Sequence, residues 1–457
     1  MEEIVPSLIG RKVLLFGRNK TISEEDMSLF LESVGAGLAG DEREEGIALV
    51  VKGRLMNPVE ESICDDFEKN GVPVVEIEAL ESYYASTIDR DMLLGSLKIF
   101  RNKERIINLL HNDSIDDNLF CEILKLYDWG GKAPFESDEN RDVAGSMVSR
   151  FYKDIERNHN IEFSPVGPFL VAAESDRKSL LEAISMIPDY EITQRSGDYW
   201  MPSTLHEALL VNENIPEDIL EGFAKCGDER KVAFAAAHPL LSEETQKYLF
   251  SKDEKRILEG LAKNPSLSKN LYETLLEKED SDVRCMVLKY QPLPASIFSQ
   301  LHELDDSGKR SVGANIHLDE ESAMKLFDSQ EEEILKSLAS NENLSCSIYE
   351  KIESTGDRDL LRILAANPSV EGSILKRLLR IRDKELYRAL AANPSTPKEI
   401  LENFSKIKDK DIAAALASNP STPIEILLGY QMDAELSNIL KRNEAFGDYI
   451  KENIGWQ

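Results

Sequence analysis

Apolar and polar residues alternate along this chain in two different grammars. Over residues 11–90, short apolar runs alternate with amphipathic stretches. Lys12 to Phe16 (KVLLF), Ile47 to Val51 (IALVV) and Val72 to Ile77 (VPVVEI) predict three buried strands. Ser23, followed by Glu24-Glu25-Asp26, starts a helix to about Ser33; Val59 to Asn70 predicts a second, closed by Gly71, and Glu78 to Tyr84 a final helical turn. The Gly-rich stretch 35–40 between the first helix and the second strand reads as a turn. Further along, the strand runs give way to short helical stripes of Leu, Ile and Ala.

Those stripes repeat. LAANPSTPKEIL (390–401) and LASNPSTPIEIL (416–427) are nearly identical, with Asn393 and Asn419 26 residues apart. The same step backwards reaches Asn367, Asn341 and Asn315; one step of 25 reaches Tyr290, and further steps of 26 reach Asn264, His238 and Asn212. Forward, Asn443 follows after 24 residues. Anchors held in register over this length predict an array of stacked units. In the unit ending at Asn393, Leu386, Ala389 and Leu390 share one face of a short helix. Asn393 is expected to end it in the left-handed conformation, and Pro394 cannot continue it. Thr396-Pro397-Lys398-Glu399 then predicts an N-cap, a first-turn proline and a capping box, repeated at Thr422-Pro423-Ile424-Glu425. Ile400, Leu401 and Phe404 supply the stripe of the second segment. Neither segment can bury its apolar side alone, so such units are stable only when stacked.

The Ala-Asn-Pro-Ser-Thr-Pro core of these units resembles the leucine-rich repeat variant (LRV) family over about residues 205–450. The resemblance implies a right-handed solenoid of alternating α and short 3₁₀-like helices, and it implies no activity. An isolated earlier unit is visible at 109–124, and Leu170 to Ile184 reads as a degenerate one. The stretch 91–204 is therefore expected to be helical, with loops around 129–140 and 188–203.

The order strand, helix, Gly turn, strand, helix, strand, helix over about residues 8–86 resembles a BRCT domain. The pieces that carry the likeness are GRKVLLFG (10–17), ESVGAGLAG (32–40), IALVVKG (47–53) and the helix–strand unit 61–84. Phosphopeptide-binding members place Ser or Thr before the first-strand Gly and Lys at the start of the second helix. Phe16 precedes Gly17 here, and Pro58-Val59-Glu60-Glu61 holds no Lys, so the resemblance implies protein docking. Arg18, Lys20 and Lys52 are the nearby cations. The expected architecture is mainly α: a small α/β BRCT-like domain (1–90), degenerate helical repeats (91–204) and an LRV-like helical-repeat solenoid (205–457).

Composition narrows the function classes. Hydrophobic residues at 42% and charged ones at 30% fit a globular chain, not collagen or a disordered tail. The 84 acidic and 54 basic residues give a net charge of −30, which opposes wholesale binding of polyphosphate. Residues 1–89 hold 19 acidic and 8 basic residues, a net of −11, against DNA-end binding there. The five cysteines lie at least 57 residues apart, which fits neither a zinc ribbon nor a disulfide scaffold. The acidic start at Glu2-Glu3 and the absence of a long apolar run point to the cytoplasm and away from membranes.

Local chemistry is sparse. Gly35-Ala36-Gly37-Leu38-Ala39-Gly40 satisfies G-x-G-x-x-G, but it follows a helix and precedes Asp41, Glu42, Glu44 and Glu45, which repel a pyrophosphate. The six histidines show no metal-ligand spacing, and His238, at a repeat anchor, reads as a helix-end cap. No cofactor and no metal are expected. Two features stand out. Residues 376–410 contain ten basic and five acidic residues, a net of +5 against the trend of the chain. Arg377, Arg380, Arg382, Arg388 and Lys406 are its candidate docking residues. Aromatic residues concentrate in the irregular middle, where Trp129, Tyr199 and Trp200 are candidate partner contacts. The expected function is a non-enzymatic protein–protein interaction scaffold. The alternatives are a nucleic-acid-associated protein using the basic C-terminal repeats, and an enzyme with a dispersed site in the centre.

Overall fold

A computed structural model describes the chain except residues 2–3, 18–20, 133, 152–162, 197–198 and 454–457. Arg18 and Lys20 lie outside the described residues. The fold is mainly α, and the chain forms two compact units, residues 1–240 and 241–457.

The first unit begins with a small parallel sheet. Its elements are β1 (Lys12–Phe16), α1 (Glu24–Ser33), β2 (Gly37–Leu38), β3 (Ile47–Lys52), α2 (Pro58–Lys69), β4 (Val74–Glu76) and α3 (Ile77–Thr87). The strand order is β2-β1-β3-β4 with every pairing parallel. Ala48, Leu49, Val50 and Val51 are all buried, which is the signature of a central strand covered on both faces. Gly17 turns the chain after β1 at φ +70°; a Cβ there would lie 2.8 Å from the Arg54 carbonyl oxygen and 2.9 Å from Met56 Cγ. Ser23 caps α1 through the Asp26 N–H, and Asn57 with Glu60 forms a capping box on α2.

Two sequence expectations need correction here. The Gly-rich stretch is not only a turn: Gly37-Leu38 pairs with Lys12-Val13 as an edge strand. The final helical turn is a helix of 11 residues, because Ile77, Leu80 and Tyr84 form a buried stripe at i, i+3 and i+7. Beyond it, Arg105 of the Lys103–Leu110 helix reaches back to Asp26 of α1 with two bonds, 2.8 and 2.6 Å, tying the sheet region to the helices that follow.

Those helices come in pairs: Lys103–Leu110 with Asp117–Leu124, Gly167–Glu174 with Lys178–Ser185, and Leu205–Val211 with Glu217–Ala224. The degenerate units near 109–124 and 170–184 therefore are helix pairs. The loop expected at 188–203 is instead an antiparallel hairpin of β5 (Glu191–Ser196) and β6 (Tyr199–Thr204). Alternating β-branched and polar residues in a short segment read equally well as loop or edge strand.

The second unit is built of helix pairs from Glu243–Ser251 to Glu444–Asn453. The first helices pack on one another in sequence, Lys255–Lys263 on Ser281–Tyr290 and so on to Ala434–Leu440. Leu338, Leu364, Leu390 and Leu416 are fully buried at equivalent positions in four successive pairs, each worth ~1.5–3 kcal/mol of burial. The second segments, such as Cys346–Ser354 and Lys398–Phe404, are α-helical; the 3₁₀ form occurs only at Ala295–Ser299 and Leu301–Glu303 among the described ones.

The anchor asparagines explain the spacing. Asn393 donates through Nδ2 to the carbonyls of Ala365 and Asn367, both at 2.8 Å, and its Oδ1 accepts the Ser395 N–H at 2.8 Å. Asn419 repeats this with Ala391, Asn393 and Ser421, and Asn367 with Ala339, Asn341 and Ser369. Each amide thus caps the carbonyl end of the first helix in the preceding unit, where helical partners run out. Asn393 has φ −75° and ψ 121°, an extended and not a left-handed conformation. It is selected for three side-chain bonds, not for its backbone freedom. The expected capping box also fails. Thr396 turns inward, donating from Oγ1 to the Leu390 carbonyl at 2.6 Å, and Pro397 is the N-cap. Thr422 does the same to Leu416.

The anchor placed at Tyr290 belongs to Gln291. Its Nε2 donates to Ala262 and Asn264 at 2.9 and 2.8 Å, and its own carbonyl accepts from Asn315. In the first unit, His238 copies the asparagine with a ring: Nε2 lies 3.1 Å from the Asn212 carbonyl and Nδ1 accepts the Leu240 N–H at 3.2 Å. The His238 capping role expected from sequence is what the geometry shows. Ser175 keeps only half the pattern, accepting the Arg177 N–H, while its carbonyl accepts from Asn212.

Candidate docking surface

The connections between units carry the candidate site. In the second unit acidic N-caps open the first helices: Asp280, Asp357, Asp409 and Asp433 accept from the backbone two and three residues on, and Asp383 three residues on. A cation of one unit reaches the N-cap acid of the next. Lys309 pairs with Glu331 at 2.8 Å, Arg362 with Asp383 at 2.7 Å, and Lys384 with Asp409 at 3.0 Å. The Arg362 guanidinium and the Leu386 N–H hold the Asp383 carboxyl down at about 2. Much of the acidity of the repeats is therefore committed to internal contacts.

The basic stretch 376–410 divides in two. Arg377 is clamped by Glu353 at 2.6 Å and Glu350 at 3.3 Å, Lys384 by Asp409 and Asp411, and Lys410 by Glu435 at 3.3 Å. Lys376 and Arg388 face Glu399 and Glu385 at 3.9 and 3.6 Å. Arg380, Arg382, Lys398, Lys406 and Lys408 are exposed and make no ion pair with a described residue. Lys406 bonds only to the neutral Asn403 amide.

Arg377, Arg380, Arg382, Arg388 and Lys406 thus do not share one groove. Arg377 lies on the layer of second helices, whereas Arg388 borders a cavity of about 660 Å³ between first helices, floored by Ala389, Ala392, Ala414 and Ala415. Arg380, Arg382 and Lys406 lie on the connecting loops, joined by Lys408, which is absent from the candidates drawn from sequence. The signal for Lys408 was present in the register: Arg380-Ile381-Arg382-Asp383-Lys384 and Lys406-Ile407-Lys408-Asp409-Lys410 are 26 residues apart.

The aromatic candidates separate as well. Trp129 is half-buried and meets the buried Tyr127 edge-to-face, ring centroids 5.1 Å apart; Tyr127 donates to Asn140, which bonds back to the Trp129 carbonyl. Phe135, Tyr190 and Phe169 form a second chain of rings, and Tyr190 donates to the Pro165 carbonyl. These contacts use the rings to close the irregular middle. Tyr199 and Trp200 sit on β6, where they pair through the backbone with Ser196 and Arg195; their side chains lie outside the described residues.

At the base of the hairpin a polar cluster draws together Asp189, His206 and Lys231. The Lys231 ammonium lies 2.8 Å from Asp189 and 3.1 Å from His206 Nδ1, and His206 Nε2 lies 2.9 Å from the Ile187 carbonyl. Burial depresses the His206 pKa, with Asp189 pulling the other way. Both ring nitrogens are engaged, so the cluster pins the hairpin to the Glu229–Ala236 helix and leaves no imidazole nitrogen open to a substrate. No group of three or more metal-ligating side chains occurs among the described residues, and no described helix is long and apolar enough to cross a membrane. The five cysteines are unpaired.

No protein-family model matches the chain, and no curated protein matches it in sequence.

Proposed function

We propose that the chain is an interaction scaffold, in which an LRV-like solenoid and a BRCT-like N-terminal module present docking surfaces without catalysis. The observation that carries this reading is the buried ladder of asparagine rungs, Asn315, Asn341, Asn367, Asn393, Asn419 and Asn443, which fixes neighbouring helices before any partner arrives. A pre-formed surface loses little conformational entropy on binding. The four-stranded parallel sheet and its helix order support the BRCT-like part, and Phe16 with Pro58-Val59-Glu60-Glu61 makes phosphate-independent docking the reading for it. A cytoplasmic location belongs to the same proposal.

The test is site-specific photocrosslinking of the full chain in its native cells, with the reactive residue in turn at Arg382, at Arg388, or at Met92, which is exposed on the Arg90–Phe100 helix. Crosslinks to a defined protein partner at any of these positions are expected. Recovery of the chain without a protein adduct at every position would sink the scaffold reading.

A further inference from the structure

We propose that the twin loops 379–383 and 405–409 form a docking edge for an extended acidic protein segment. The inference rests on the scaffold reading and supplies the chemistry of one partner. Its first support is that the two loops are copies in conformation as well as in sequence. Arg380 N–H donates to Arg377 and Lys406 N–H to Asn403; Ile381 donates to Leu378 and Ile407 to Phe404; Asp383 donates to Ile381 and Asp409 to Ile407, the last two both at 2.9 Å. Asp383 and Asp409 share their backbone angles, φ −129° and −135° with ψ 127° and 128°.

The second support is that the loops are locked side by side. Lys384, one residue beyond the first loop, bonds to Asp409 of the second at 3.0 Å and to Asp411 at 2.9 Å. Ion pairs neutralise the acidic member of each loop: Arg362 covers Asp383 and Lys384 covers Asp409. What remains facing solvent is Arg380 and Arg382 on one loop and Lys406 and Lys408 on the next, four cations with no carboxylate partner among the described residues.

The surroundings choose between polyanions. Ile407 is 39% exposed between its two lysines, and Ile381 is half-buried at the matching place. An apolar strip between cations suits a peptide side chain and offers nothing to a sugar–phosphate backbone. Glu402, exposed one turn before Lys406, and the net charge of −30 oppose a continuous polyphosphate. Packed helices lie about 8–10 Å apart, so the loops are separated by about three residues of an extended chain at ~3.4 Å each. The segment that fits has carboxylates at about every third residue with an apolar residue between them. The equivalent neutral stretches Thr355-Gly356 and Gln431-Met432 bound the edge on both sides.

The experiment is fluorescence anisotropy on the full chain with a labelled peptide of about twelve residues carrying Glu at every third position and Leu between. A single-stranded oligothymidylate of similar length is the second probe. Wild type is expected to bind the peptide, and R380E/R382E/K406E/K408E to lose about tenfold or more in affinity at ~0.1 M salt. A charge-matched control at exposed lysines outside both loops, K69E/K225E/K247E/K269E, is expected to keep it. Equal loss in both variants would reduce the effect to net charge and overturn the proposal. No binding of the peptide by wild type, or tighter binding of the oligonucleotide, would overturn it too. If the peptide test fails while photocrosslinking of the wild-type chain recovers a protein partner, the scaffold reading stands and the acidic-segment edge falls.

Discussion

The repeats from Asn341 to Asn443 and the irregular stretch from Asn264 to Asn315 solve the same problem with different parts. In the regular repeats, one amide bonds to the carbonyls 26 and 28 residues back, as at Asn341, Asn367, Asn393 and Asn419. In the irregular stretch the rung moves to Gln291, 27 residues after Asn264 and 24 before Asn315. The extra methylene of Gln carries its amide to the carbonyls 27 and 29 residues back. The shortened unit that follows uses 3₁₀ segments at 295–303, which rise ~2.0 Å per residue against ~1.5 Å in an α-helix and so cover the same length with fewer residues. At the C-terminal end a step of 24 is met instead by a six-residue second helix, Ile424–Gly429. The lesson is that from Gln291 onward a carbonyl-capping amide is kept, and both the spacing and the helix type adapt to keep it.

The largest effect should come from removing a regular rung. Asn393→Ala strands the buried Ala365 carbonyl and the Ser395 N–H and leaves the Asn367 carbonyl with only its Val370 N–H, so at ~1–3 kcal/mol per unsatisfied group it should cost about 3 kcal/mol. Urea unfolding would measure it; a loss below ~1 kcal/mol would show that water replaces the amide. Gln291→Asn tests the other side of the comparison. The shorter amide should miss at least one of its two carbonyls, costing about 1–3 kcal/mol by the same measurement. A neutral result would mean the length of the side chain is not what fits it to the shifted register.

A comparable effect is expected at Gly313, where the Asp306–Gly313 helix lies close against Glu332–Ser340. A Cβ there would lie 2.6 Å from Ser337 Cβ and 2.8 Å from the Ile334 carbonyl oxygen, so Gly313→Ala should destabilise by about 1–3 kcal/mol. Gly429→Ala, with open space around it, serves as the matched control and should not destabilise.

His238 supplies a pH test. Burial depresses its pKa, and the neutral ring with its proton on Nε2 serves both the Asn212 carbonyl and the Leu240 N–H. The unfolded chain binds that proton more readily, so this contribution to stability is fully present above the ordinary value near 6.5 and is lost as pH falls below it. His206 has a depressed pKa for the same reason and adds to the slope. His238→Asn, which keeps the rung without the titration, should make melting temperature less sensitive between about pH 7.5 and 5.5. An unchanged slope would assign the sensitivity to His206. The smallest effect is expected at the exposed Lys410–Glu435 pair, where Lys410→Gln should barely move the melting curve.

The repeat period, the buried leucines and the strands of the N-terminal sheet were legible because each depends on residues close in sequence. The step of 26 gave the helix pairs, and LASNPSTPIEIL named its own anchor. The candidate site was legible only in part. Sequence placed Arg380, Arg382 and Lys406 in a basic stretch but could not separate them from Arg377 and Arg388. The partner that clamps Arg377, Glu353, lies 24 residues away on another helix and depends on how the layers stack, whereas the Arg388–Glu385 pair lies within one helix.

By itself, then, the sequence determined the array: apolar spacing, proline and the asparagine register admit few other arrangements of these helices. Only the tertiary structure decided what the asparagines do, because their partners lie 26 and 28 residues away and the backbone conformation they adopt is an ordinary extended one. It decided too that Gln291 and not Tyr290 holds the shifted rung, and which cations remain free. Charge is additive along a chain, but pairing depends on distance between units, and that distance exists only once the helices have stacked.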